Sequence, residues 1–119
     1  MPRGPRLDAP GVLHNVMVRG IERAALVRDK RDRADVVDRV AAWAARTWRV
    51  VAWALLPNHA DLLVRTGRQP LASTMRSLLT GYAGGFNRRH ARHGHLFQNR
   101  YKSIVVEEEP YFLALQPQP

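Results

Sequence analysis

The chain has 119 residues, of which 45% are hydrophobic, and a formal charge of +9. No apolar run approaches the roughly 20 residues that span a bilayer, and the basic start MPRGPRLDAP has no apolar core behind it, so neither a membrane span nor a cleaved secretory signal is expected. With no cysteine, disulfides and thiolate metal sites are excluded, and one cytoplasmic domain over 1–119 is the expectation.

Of the 19 cationic side chains, all but Lys30 and Lys102 are arginine. The planar guanidinium fork matches phosphate oxygens. A field of this sign points to nucleic acid or an anionic membrane. A genome that writes arginine wherever a cation will do gives the same count.

In chain order, GVLHNVMVRG (11–20) alternates and reads as a short strand closed by Gly20. From Asp29 to Arg46 the pattern is helical, with Val36, Val40 and Trp43 on one face. Asp29 or Asp32 can cap its start. Arg31–Asp35 and Asp35–Arg39 are spaced to pair on its wet face. RVVAWALLP (49–57) is almost continuously apolar, which predicts a strand buried on both sides at the centre of a sheet. Pro57-Asn58 is a turn signal, so HADLLVRT (59–66) is the return strand of a tight hairpin.

After GRQP, residues Leu71, Met75, Leu78, Tyr82 and Phe86 make one helical stripe. Gly81, Gly84 and Gly85 weaken it, and fraying is expected before Asn87. Then come a basic loop with interleaved aromatics (87–102), a strand (103–108) and the start of a helix in EEEPYFLAL (107–115). The order βαββαβ predicts an α+β, ferredoxin-like fold: a four-stranded antiparallel sheet with two helices on one face and a shortened C-terminal helix.

His59 and Asp61 lie two apart on a strand and share a face, so they can bind one ion. An imidazole with a carboxylate suits Mg²⁺ or Mn²⁺. A hairpin-end histidine beside an aspartate that bonds its own backbone fits the spacing equally. Tyr82 is either a tyrosine at the edge of the core or, if its helix lies over the hairpin, a nucleophile near that ion. The loop arginines are candidate phosphate contacts. His90, His93 and His95 have no carboxylate near them in sequence to support a metal site. Phe97 and Tyr101 either stack unpaired bases or anchor the loop.

Three segments then carry a resemblance. MPRGPRLDAPG…HNVMVRG, WALLPNHADLLV and GYAGGFNRRHARHGHLFQNRYKSIVVEEEPYFLAL resemble the single-tyrosine HUH transposases, most closely the REP-associated tyrosine transposases. The resemblance implies a ferredoxin-like domain that cuts and rejoins single-stranded DNA, often near a hairpin. It implies a metal held by two histidines around an apolar residue, and a tyrosine that leaves a 5′-phosphotyrosine. Carried onto this chain, the ligands fall on His59 and Asp61 and the nucleophile on Tyr82. Asn87 is the nearest third ligand, although its spacing of five turns it off the tyrosine's face. Arg88, Arg89, Arg92, Arg100 and Lys102 become the DNA contacts.

The chain departs from the family at three places. Asp61 replaces the second histidine, GGF follows Tyr82, and the chain ends at LALQPQP where relatives continue through a longer helix. Two functions follow from these readings. One is a transposase working with Mg²⁺ or Mn²⁺ on single-stranded or hairpin DNA, as a monomer or a homodimer. The other is a catalytically impaired remnant that only binds nucleic acid.

Overall fold

The computed structural model describes residues 10–98 and 101–106. In chain order it contains β1 (Leu13–Arg19), α1 (Lys30–Arg46), β2 (Arg49–Leu56), β3 (His59–Arg65), α2 (Leu71–Arg89) and β4 (Lys102–Val105). A single 3-10 turn, Ile21–Arg23, follows β1. The strands form one antiparallel sheet in the order β2-β3-β1-β4. This is the ferredoxin-like α+β arrangement expected from the element order. The expected helix in 107–115 lies outside the described residues. Among the described residues no helix is long and apolar enough to cross a membrane.

Alternation along the central strands decides which face is covered. Val16, Val18, Leu62 and Val64 are buried, and they meet the α2 stripe Leu71, Met75, Leu78, Tyr82 and Phe86, every member of which is also buried. The odd positions of β1 and β3 therefore point to the other face. The β2–β3 turn is the two-residue Pro57-Asn58. It is pinned from the β1 side: the Gly20 amide donates to the Asn58 carbonyl at 2.9 Å and the Leu26 amide to that of Pro57 at 2.6 Å.

Gly20 is needed there because a Cβ would stand 2.1 Å from the Ala24 carbonyl oxygen. Gly20→Ala is expected to cost about 1–3 kcal/mol, the range for overpacked sites. Urea unfolding measures it.

Three expectations need correction. First, β2 is an edge strand, not a central one, and most of it is exposed. An unbroken apolar run suits an edge strand as well as a central one when a helix lies over one side of it. Second, α2 continues through its three glycines to Arg89 instead of fraying before Asn87. The space at Gly81 is filled by the Arg39 guanidinium, and Asp35 and Arg89 close on Gly85. Missing side chains on α2 thus let α1 approach. Third, Asp35 does not sit on a wet face. It bonds Arg39 within α1 and Arg89 across the helix pair, at 2.7 and 2.9 Å.

Candidate nucleic-acid interface

Among the described residues, the sheet face that neither helix covers is where the chemistry collects. One rung across it runs Ala54, Asp61, Met17, Lys102, and the next runs Leu56, His59, Arg19. Antiparallel register puts these side chains on one surface. Arg19 and Lys102 are exposed. Arg65 lies on the same face and donates to the Gly11 carbonyl.

His59 and Asp61 are brought together, both half-buried, with Nε2 to Oδ2 at 3.9 Å. That is too long for a hydrogen bond. The His59 Nδ1 is 3.0 Å from the Asn58 side-chain oxygen. With Nδ1–H donating to Asn58, Nε2 presents its lone pair toward the carboxylate. The other carboxylate oxygen, Oδ1, is buried without a hydrogen-bond partner. Two lone pairs facing one another, with an orphan acceptor beside them, fit a cation. His59 and Asp61 would hold it, and oxygen-favouring Mg²⁺ or Mn²⁺ suits this donor set.

Tyr82 does not join this pair. Tyr82 is 3% exposed, and it lines an apolar pocket between the helices and the sheet with Ala60 and Leu62, the β3 residues that face away from His59 and Asp61. Its hydroxyl donates to the Leu26 carbonyl. Burial, reinforced by the nearby carboxylates of Asp32 and Asp35, pushes the phenol well above its ordinary pKa. The expectation that the hydroxyl approaches a strand-held ion is therefore corrected. Covering the sheet on one side puts the α2 stripe and the odd β3 positions on opposite faces.

Asn87 is also elsewhere. Its amide donates to the Gly94 carbonyl and its oxygen accepts from Arg92, closing the loop after α2. Arg92 further donates to the His95 carbonyl at 2.8 Å, so it holds the loop's shape. Arg89 is turned inward onto Asp32 and Asp35. Of the expected DNA contacts, Arg88 and Lys102 are exposed, and Arg100 lies outside the described residues. Arg19, on the open face, was not among the expected contacts. Its signal was its place in the β1 alternation, two residues on from Met17.

Sequence reading also missed a cluster at Asp32. Asp29, Asp32 and His90 each bring one ligand atom within 4.8 Å of the others, a spacing that could hold a metal ion. Those atoms already have partners. Asp29 caps α1 by accepting from the Asp32 amide. Asp32 accepts from the Arg28 amide, Arg89 and His90 at 2.7–2.9 Å. Burial works to raise the Asp32 pKa, but those three donors hold it below the ordinary 3.8. The cluster ties α1 to the end of α2 and to the loop behind it.

No protein-family model and no curated protein matches the sequence. Among solved structures, the chain is similar to that of a REP-associated tyrosine transposase bound to a REP hairpin. The TM-score is 0.67 at 14% identity, covering 96% of this chain and 67% of that one. The likeness extends over nearly the whole chain, and what the two share is the fold.

Proposed function

We propose that the protein binds hairpin or single-stranded DNA through its open sheet face, as a module built on the transposase fold. The observation that carries this is the gathering of Arg19, Lys102, His59 and Asp61 on the one face the helices leave bare. The hairpin bound by the structural neighbour supports it. The cations would take backbone phosphates, and Met17, Leu63 and Ile104 between them offer apolar surface to unstacked bases. Ile104 is 65% exposed. A cation at His59 and Asp61 would neutralise charge on a phosphodiester lying across the face and polarise it.

Metal-assisted strand transfer is the second reading, favoured by the paired His59 and Asp61 and by the orphan Asp61 oxygen. It requires a nucleophile on the open face. Tyr82 lies on the covered face, so the binding module is the better supported of the two.

Fluorescence anisotropy with a labelled hairpin carrying a single-stranded flank tests the first reading. Affinity is expected to fall steeply as salt rises. Replacing Arg19 and Lys102 together by alanine should lower the log–log salt slope by roughly 1.5. His59→Ala and Asp61→Ala should each abolish Mn²⁺ binding measured by calorimetry. Salt-independent binding, or a slope that the double variant leaves unchanged, would remove the open face as the DNA site.

A further inference from the structure

Asn58 is the second residue of the β2–β3 turn and immediately precedes His59. Asparagine is common in two-residue hairpin turns because it tolerates a left-handed backbone. That reason does not apply at this turn. Proline fixes φ at about −65° at position 57. Among the described residues the non-glycine positions with positive φ are Glu22, Arg23 and Ala91. The backbone of the turn therefore does not call for an asparagine. Its side chain reaches forward instead, and the amide oxygen lies 3.0 Å from His59 Nδ1.

Main-chain bonds fix both ends of this contact. The Asn58 carbonyl accepts from the Gly20 amide at 2.9 Å. The Pro57 carbonyl before it accepts from the Leu26 and Val27 amides at 2.6 and 3.3 Å. His59 is held in β3 between Leu56 and Arg19. The amide and the imidazole are thus placed by the fold before they meet.

We propose that Asn58 is a positioning residue for the cation site: by accepting from Nδ1–H it keeps the His59 Nε2 lone pair open to a divalent cation. The inference rests on the cation reading of His59 and Asp61. A neutral imidazole carries one proton, on either nitrogen. With the proton on Nε2, an N–H would point toward Asp61 and no lone pair would remain there for a cation. The Asp61 carboxylate draws the proton that way, but at 3.9 Å it is too far to accept it. The Asn58 oxygen is within reach, so the nearer acceptor sets the tautomer. Histidines that bind metals generally donate their second ring N–H to a carboxylate, a carbonyl or water. Here the adjacent residue in the turn supplies that acceptor.

The test first reads the proton on the full chain without metal or DNA. The chain has five histidines, and the His59 signals are those lost in His59→Ala. Long-range ¹H–¹⁵N spectra at about pH 8.5, where histidines are neutral, should show His59 protonated on Nδ1. Asn58→Ala should move that proton to Nε2 and weaken Mn²⁺ binding by about 10–100-fold in calorimetry. Asn58→Asp retains an acceptor oxygen and should keep both the tautomer and the affinity. Its added charge can favour Mn²⁺ directly, and the metal-free spectrum separates that effect from the tautomer. A merely structural role would shift the urea midpoint and leave the tautomer unmoved. Wild type that binds Mn²⁺ with its proton on Nε2 would mean that Asn58 donates, and overturns the proposal alone. An Asn58→Ala protein with unchanged tautomer and affinity overturns it as well. Wild type that holds the Nδ1 proton yet binds no Mn²⁺ sinks the cation reading, and the role of Asn58 falls with it.

Discussion

Replacing Asp32 with alanine is expected to cost about 3 kcal/mol or more, seen as a lower urea midpoint at unchanged slope. Asp32 is fully buried. Its carboxylate answers a guanidinium, an imidazole and a backbone amide at once, from Arg89, His90 and Arg28. Removing it leaves the half-buried Arg89 with Asp35 as its remaining ion-pair partner and strips the Arg28 amide of an acceptor. Buried donors left without their acceptor cost their desolvation, which is why truncating one partner has a larger effect than the net worth of the bridge. Asp32→Asn, which keeps the shape and one acceptor oxygen, should fall between wild type and alanine.

The same carboxylate gives a pH signature. Its folded pKa lies below the unfolded value of 3.8, so the unfolded chain binds the proton more readily. The stabilisation is then fully present above pH 3.8 and is lost as pH falls through the lower folded value. Acid unfolding followed by circular dichroism should show the difference between wild type and Asp32→Asn narrowing in that range. A difference that stays constant down to pH 2 would mean that Asp32 is not ionised in the folded protein.

Much of the architecture can be read along the chain, because the two periodicities are clean where a face is buried. The step from Leu71 to Phe86 is the covered face of α2, and Pro57-Asn58 is the hairpin turn. The common face of His59 and Asp61 also follows from alternation, and Leu62 and Val64 tell which face it is: apolar even positions leave the odd ones outside. The place of β2 was not legible. Hydrophobicity reports that a strand touches apolar neighbours, but not whether they lie along both of its edges or one. Nor was the Asp32–Arg89–His90 cluster, whose members lie 57 and 58 residues apart. The glycines of α2 mislead for a related reason: helix propensity prices them as losses, and only the packing of Arg39 and Asp35 reveals what the space is for.

Tyr82 separates a structural from a catalytic role. Tyr82→Phe is expected to lower stability by about 1–3 kcal/mol, since the buried Leu26 carbonyl loses its phenol donor. Tyr82→Ala should cost about 3–5 kcal/mol, because the ring packs against Phe86 and Phe97 at centroid distances of 6.0 and 6.4 Å. Hairpin binding by Tyr82→Phe should match wild type under conditions where both are folded, because the hydroxyl faces the interior and the proposed DNA site is on the open side. Any covalent protein–DNA adduct formed with Mg²⁺ or Mn²⁺ should survive the same change. A phenol whose pKa is raised by burial is a reluctant phenolate, and reaching a phosphate at His59 and Asp61 would require it to cross the sheet. The opposite result has one meaning: an adduct abolished in a Tyr82→Phe protein that still melts cooperatively would require α2 to leave the covered face when DNA binds.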